Sequence, residues 1–330
     1  MLDQYERNIN YLRVSVTDRC NLRCTYCMPK EGLSQIGHDD ILRYEEIHRI
    51  IRIAAGIGIT KVRITGGEPL IRRGVAPFIA SLRTIPELKE MSLTTNGILL
   101  EGCAESLLAA GIRRINVSLD SLDAEKYARI TRGGEIAAVF RGIRKAREVG
   151  FSPIKINVVA IKGFNDDEIV DFARLTIENP YQIRFIELMP LGRAGVENRD
   201  RFLSNAVIRE RIEAMGRLEP LTGPGNGIDG PAQMYRLTGG AGKIGFISPV
   251  SHHFCRSCNR LRLTADGHLR TCLLSDDETD LKEPLRSGCA DEAIGELIRG
   301  AVSLKPERHD IACSGSQIKK CMKEMQEIGG

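Results

Sequence analysis

Between residues 11 and 188 the sequence passes six times from a short β-branched run into a longer amphipathic stretch. The spacing, roughly 30 residues per repeat, is that of a βαβ unit. Such a rhythm allows few folds, because each strand has to return to the same end of a parallel sheet through a crossover that buries its apolar stripe. The strand runs are residues 11–16, 61–65, 91–95, 114–118, 154–160 and 183–188. In the first, Arg13 lies on the face opposite Leu12 and Val14. Between them, residues 44–53 place Ile47, Ile50, Ile51 and Ala54 on one helix side. Further helices are expected over 101–110, up to about residue 149, and over 166–177. Gly67, Thr94, Ser118, Lys155 and Glu187 fall where strands are expected to end, at the mouth where parallel α/β folds take their ligands. A closed eight-fold barrel needs two further units of this kind, which the sequence does not offer.

Past residue 190 the rhythm breaks. Residues 191–202 read as charged and irregular, residues 222–231 as a Gly/Pro loop, and 234–237 and 243–247 as short strands. Hydrophobic residues at 42% and charged residues at 27% describe a soluble globular protein. No apolar run reaches the ~18 residues of a membrane span, and the first residues have no apolar segment of the signal-peptide kind. The expected location is the cytoplasm. There, ten cysteines argue for metal binding or catalysis rather than disulfides. A net charge of +4 does not argue for nucleic acid. The cations are skewed to 34 Arg against 13 Lys. Arginine suits bidentate phosphate recognition, although a G+C-rich coding bias produces the same skew.

Two cysteine groups carry the chemistry. Cys20, Cys24 and Cys27 are spaced C-x3-C-x2-C. Thiolates suit iron–sulfur clusters, zinc and copper(I), and three ligands leave one metal position open. A zinc knuckle completed by a distant residue is the alternative, though knuckles usually use C-x2-C pairs. The second group is Cys255, Cys258 and Cys272, with the Asp266-Gly267 turn carrying Cys272 back beside Cys258. Alone, this group suits a zinc site with His252, His253 or His268 as fourth ligand at least as well as a cluster. Cys103, Cys289, Cys313 and Cys321 lie outside both groups and read as small buried or partly exposed thiols.

The first group, with Tyr26 just before its last cysteine, resembles the signature of the radical S-adenosylmethionine (SAM) superfamily. There, three cysteines hold a [4Fe–4S] cluster whose fourth iron is chelated by SAM. An electron from the cluster cleaves SAM to a 5′-deoxyadenosyl radical. Both groups together resemble the GTP 3′,8-cyclase family, radical SAM lyases of the first step of molybdenum cofactor (molybdopterin) biosynthesis. The resemblance covers nearly the whole chain. It rests on Ser-Val-Thr-Asp-Arg-Cys-Asn at 15–21, Arg-Ile-Thr-Gly-Gly-Glu-Pro-Leu at 63–70 and Thr-Thr-Asn-Gly at 94–97. It continues through Val-Ser-Leu-Asp at 117–120, Phe-Ile-Glu-Leu-Met at 185–189, Cys-Asn-Arg-Leu-Arg at 258–262 with Cys272, and Gly329-Gly330. Gly74 departs from it, standing where an acidic residue is common.

The resemblance implies an α/β fold, a partial (β/α)6 TIM-type barrel over 1–190 with a C-terminal extension over 191–330. Cys20, Cys24 and Cys27 are implied to hold the SAM cluster, and Tyr26, Gly67, Ser118 and Met189 to meet SAM. Arg13, Arg63, Thr94, Lys155, Arg260, Leu261 and Arg262 are implied to meet GTP, with Arg260 and Arg262 taking part in catalysis. Cys255, Cys258 and Cys272 are implied to hold a second [4Fe–4S] cluster that meets the guanine. Removal of the C3′ hydrogen and C3′–C8 bond formation then give (8S)-3′,8-cyclo-7,8-dihydroguanosine 5′-triphosphate. The implied partners are GTP, a reducing electron donor and a downstream cyclic pyranopterin monophosphate synthase. Neither nucleic acid nor a membrane is expected, and the chain is expected as a monomer or homodimer. A helix over 318–328 is expected to lead Gly329-Gly330 into the active site. Two other readings compete: a peptide-modifying radical SAM maturase, whose auxiliary regions are usually richer in cysteine, and a zinc-binding interaction module, for which six α/β units are excessive scaffold.

Overall fold

The computed structural model describes residues 1–221, 230–309 and 321–329. The six expected strands are β1 (Tyr11–Ser15), β2 (Lys61–Thr65), β3 (Glu90–Thr95), β4 (Arg114–Ser118), β5 (Ile154–Ala160) and β6 (Gln182–Glu187). They lie parallel and side by side in chain order. The helices between them are α1 (Tyr44–Gly56), α2 (Val75–Ser81), α3 (Leu100–Ala109), α4 (Ala124–Thr131), α5 (Ile136–Val149) and α6 (Ile169–Glu178).

Strand alternation divides the sheet into two faces. Leu12, Val14, Val62, Ile64, Leu93, Val117 and Ile156 are buried in one core with Ile47, Ile50 and Ile51 of α1 and Val139 and Ile143 of α5. Each such side chain contributes roughly 1.5–3 kcal/mol on burial, so this face holds the helices to the sheet. The intervening residues, Arg13, Arg63, Thr65, Asn116, Ser118 and Asn157, face the interior of the curved sheet. A barrel interior ordinarily packed with apolar chains is here polar.

Helix α6 begins three residues later than the sequence suggests. Glu168 accepts hydrogen bonds from the Ser121 hydroxyl and the Leu122 amide, and Asn165 donates to the Asp120 carbonyl, so these side chains tie the segment to the end of β4. Gly74 is the residue before α2 and has φ +79°. A left-handed backbone there favours glycine over an acidic residue.

Beyond residue 190 come α7 (Gly192–Glu197), α8 (Asn205–Glu213), β7 (Leu218–Pro220), β8 (Gln233–Leu237), β9 (Lys243–Ile247), β10 (Arg260–Leu263), β11 (His268–Arg270) and β12 (Glu278–Asp280). Then follow α9 (Lys282–Arg286), α10 (Asp291–Ser303) and α11 (Met325–Ile328). The stretch expected to be irregular thus contains α7. The expected helix over 318–328 is shorter than the sequence suggests: residues 321–324 are not helical and Glu324, in an extended conformation, caps α11. Residues 318–320 lie outside the described ones, as do residues 222–229 of the Gly/Pro loop.

The late strands complete one 12-stranded sheet in the order β12-β11-β10-β1-β2-β3-β4-β5-β6-β9-β8-β7. Strand β9 pairs parallel with β6, and β10 pairs parallel with β1. The chain therefore does supply two further parallel strands, but not as regular repeats: α8 follows β6 and packs against it and α6, yet β7 and β8 intervene before β9, and no α-helix lies between β9 and β10. The sheet stays open, with antiparallel β12 and β7 at its edges. The α/β partial barrel with its extension is what the structure shows. Among the described residues no helix is long and apolar enough to cross a membrane.

Candidate active site

Inside the curved sheet lies a cavity of about 310 Å³. All six cysteines of the two groups line it. The groups sit at opposite ends of the strands. Cys20, Cys24 and Cys27 follow the C-terminal end of β1. Cys258 precedes Arg260, which pairs with Tyr11 at the start of β1. Antiparallel β11 brings Cys272 back to that same end. The mouth of the strands is thus only half of the site.

At the C-terminal end, the glycine turn after β2 docks on the cysteine loop. Gly67 N donates to Thr17 O at 2.7 Å and Glu68 N to Arg19 O at 2.8 Å. A Cβ on Gly67 would stand 2.2 Å from Arg19 O, so only glycine allows this approach. Glu68 accepts from Leu70 N, the Thr95 hydroxyl and Asn96 N at 3.0, 2.7 and 2.7 Å, linking the turn to the end of β3. Burial raises this carboxyl to about 7. Tyr26 donates to Asp120 Oδ2 at 2.7 Å, while Val159 N donates to Oδ1 at 2.8 Å. Burial raises Asp120 to about 6. Gly67, Ser118 and Met189 line the cavity with Tyr26.

The donor chemistry fits a positively charged metal group. Burial, and then the neighbouring thiols, push Cys24 well above the ordinary thiol range, and burial pushes Cys27 up to about 12. Such thiols ionise only against a strong local positive charge, as iron supplies. Among the described residues no three His, Cys, Asp or Glu side chains are grouped so as to hold one metal ion. A [4Fe–4S] cluster asks for something else, one thiolate on each of several irons. Of the three histidines considered for a zinc site, His268 stands 3.2 Å from Asp266, and His253 accompanies the Pro249 carbonyl at 3.1 Å. None of the three lines the cavity, whereas His309 does.

The floor is cationic. Arg260, Tyr11 and Lys61 lie in register across β10, β1 and β2, and Arg262, Arg13 and Arg63 form the next row. Burial first, then Arg262, lowers Arg13 well below its ordinary value. Arg262 falls to about 10 through burial and the neighbouring Arg260. Burial would raise the Tyr11 phenol, but Arg63, Arg13, Arg260 and Lys61 outweigh it and lower it. Like charges gathered in a dry site are costly unless an anion joins them.

Arg13, Arg63, Thr94, Arg260 and Arg262 line the cavity. Lys155 and Leu261 do not. Lys155 is the second residue of β5 rather than a strand end, and Leu261 belongs to the apolar core. Tyr11, Lys61 and Arg184 line the cavity although no motif pointed to them. Period-two alternation offered the signal, since Tyr11 and Lys61 stand two residues before Arg13 and Arg63. The tail arrives as well: Arg262 Nη1 donates to Gly329 O at 3.0 Å, while Gly330 lies outside the described residues.

Residues 14–176 match the Radical SAM superfamily, and residues 181–311 match Molybdenum Cofactor Synthesis C. The chain is 51% identical over 330 residues to the GTP 3′,8-cyclase of Moorella thermoacetica, covering 100% of both chains. It is 48% identical to the GTP 3′,8-cyclase of Alkaliphilus metalliredigens, again over 100% of both. This chain belongs to the GTP 3′,8-cyclase family. Among solved structures, it is similar to Streptococcus suis SuiB bound to S-adenosylmethionine, with TM-score 0.56, 15% identity, and coverage of 88% of this chain and 68% of that one. SuiB bound to its precursor peptide SuiA gives TM-score 0.58 at 15% identity, over 91% and 71%. At that identity the likeness concerns the fold. As a radical SAM family, GTP 3′,8-cyclases use a [4Fe–4S] cluster with SAM, and the chain is an enzyme of this kind.

Proposed function

We propose that this chain converts GTP to (8S)-3′,8-cyclo-7,8-dihydroguanosine 5′-triphosphate, in the first step of molybdenum cofactor biosynthesis. The observation that carries the reading is that two three-thiol groups face one cavity from its two ends, with buried cations between them.

In this reading Cys20, Cys24 and Cys27 hold the [4Fe–4S] cluster that meets SAM, and Tyr26, Gly67, Ser118 and Met189 surround SAM. Cys255, Cys258 and Cys272 hold a second [4Fe–4S] cluster on the guanine side. When bound, the first cluster and SAM supply the one-electron chemistry that removes the ribose C3′ hydrogen. The protein's own task is positioning. Arg13, Arg63, Arg260 and Arg262, with Thr94 and Lys155 nearby, neutralise the triphosphate at the floor. Leu261 contributes through its backbone, its side chain being in the core. Anchored at phosphate and base, the ribose is held with C3′ and C8 in bonding range, and restricting it in this way lowers the entropic barrier to ring closure. We assign the first role to residues 1–190 and the second cluster and tail to residues 191–330. A cytoplasmic location, a low-potential electron donor, a downstream cyclic pyranopterin monophosphate synthase and a monomer or homodimer complete the reading.

Anaerobic protein incubated with SAM, dithionite and one nucleotide at a time provides the test. Only GTP should give a cyclised product together with 5′-deoxyadenosine. Equal turnover of ATP, or SAM cleavage with no change in GTP, rejects the reading.

A further inference from the structure

Lys305 follows α10 and is 2% exposed. Its ammonium donates to Arg260 O at 3.0 Å and to Thr271 O. Arg260 is two residues past Cys258, and Thr271 directly precedes Cys272. One ammonium therefore clamps the two strands whose ends carry Cys258 and Cys272. Among the described residues no carboxylate lies within ion-pair distance of it, whereas three of the other buried cations, Arg7, Lys61 and Arg270, are paired with Asp3, Glu90 and Glu278.

Arg7 fixes this clamp from behind. Its guanidinium donates to the carbonyls of Cys255, Pro306 and Glu307 at 2.9, 2.8 and 3.0 Å, while Nε pairs with Asp3 at 2.6 Å. Arg7 and Lys305 between them thus fix the backbone at or within two residues of all three cysteines of the second group. A buried ammonium without a counter-ion is costly. Its position points to an anion that the described residues do not provide. A [4Fe–4S] core on three thiolates is such an anion, and its negative charge grows by one on reduction.

We propose that Lys305 is a positioning and charge-compensating residue of the second cluster: it holds the cysteine-bearing strands in place and favours the reduced cluster. The inference rests on the two-cluster reading. The cluster gains an electron from dithionite during titration, and the fixed ammonium stabilises the added charge. Removing the ammonium makes the potential more negative, whereas a structural role alone would change cluster content and leave the potential of the remaining cluster unmoved.

The test uses the full-length chain carrying Cys24→Ala, in which only the second cluster remains in this reading. Iron and sulfide are counted after anaerobic reconstitution, and the midpoint potential is read by EPR-monitored titration. Lys305→Gln and Lys305→Met are compared with Lys305→Arg in that background, with circular dichroism as the folding control, and either neutral variant that folds is sufficient. The expected result is a more negative potential in the neutral variants and a value near the parent's with arginine. A neutral variant that matches the parent in potential overturns the role of Lys305 alone. A Cys24→Ala parent that binds no iron–sulfur cluster overturns the two-cluster reading, and this inference with it.

Discussion

Replacing Gly329 with alanine should release the tail from the cavity without disturbing the clusters. Gly329 has φ +79°, and a Cβ there would stand 2.7 Å from the Ser15 Cβ and 3.2 Å from its hydroxyl. The left-handed backbone costs alanine roughly 1–2 kcal/mol, and forcing a methyl against β1 costs roughly 1–3 kcal/mol more. For Gly329 itself the observed anchor is the Arg262 bond to Gly329 O, a charge-assisted contact of about 1.5–3 kcal/mol; α11 before it is held separately, by Gln326 donating to Asp18 O and by buried Ile328. A penalty of roughly 2–5 kcal/mol is as large as the anchor and lowers the ratio of docked to released tail by about 30-fold or more. Product formation at saturating GTP and SAM should fall at least tenfold, with iron content and circular dichroism unchanged. Adding Ser15→Gly removes the close contact but not the backbone strain, so the double variant should recover part of the rate. Full turnover by Gly329→Ala alone would refute the reasoning, since the last residues would then be only a frayed end.

Cys24→Ala should abolish SAM cleavage, whereas Cys258→Ala should lose cyclisation yet retain some uncoupled cleavage; equal loss in both, measured as 5′-deoxyadenosine, contradicts the proposed division of labour. Tyr11→Phe removes a buried hydroxyl that has no hydrogen-bond partner among the described residues and lies between Arg260 and Lys61. If it donates to the triphosphate, GTP affinity should fall by about tenfold or more with SAM affinity unmoved, and an unchanged GTP titration curve would remove Tyr11 from the site.

The parallel core was legible because its signals are local. Alternation in residues 11–16 put Arg13 on the face opposite Leu12 and Val14, and β-branched runs at regular spacing marked six strands of a parallel sheet. Both cysteine groups were legible for the same reason. The parallel pairing of β9 and β10 was not, although residues 243–247 read as a strand, because the partners β6 and β1 precede them by about 60 and 250 residues and antiparallel β7 and β8 interrupt the repeat. That long-range pairing also decides that the second thiol group lies at the opposite strand end from the first. Tyr11 and Lys61 were passed over because an aromatic or a lysine at a strand start is ordinarily a packing or surface residue. They become site residues only when β10 closes over them. Lys155 went the other way, expected at a strand end and found one row inside β5, off the cavity wall.

That displaced lysine has a consequence that can be measured. Lys155 is 4% exposed, and burial first, then Arg184, Arg63, Lys61 and Arg114, pushes its amine down from 10.5 to about 6. Around pH 8 the folded, ligand-free protein holds it neutral, while the unfolded chain holds it charged. The native state binds fewer protons, so this group's penalty grows as pH falls from 10.5 and is complete below about 6. At pH 8 it costs about 3 kcal/mol. A triphosphate resting on Arg63 and its neighbours reverses the local field and favours the ammonium, so GTP binding should draw a proton from solvent. Near pH 8 the terminal phosphate is already ionised and contributes little to the proton balance. Calorimetric titration of GTP in two buffers of different ionisation enthalpy should therefore show uptake approaching one proton per site. Lys155→Met should abolish the buffer dependence while leaving the floor arginines to bind the nucleotide. Equal enthalpies in the two buffers for the unaltered protein, or the same uptake in Lys155→Met, would show that Lys155 does not sense the substrate's charge.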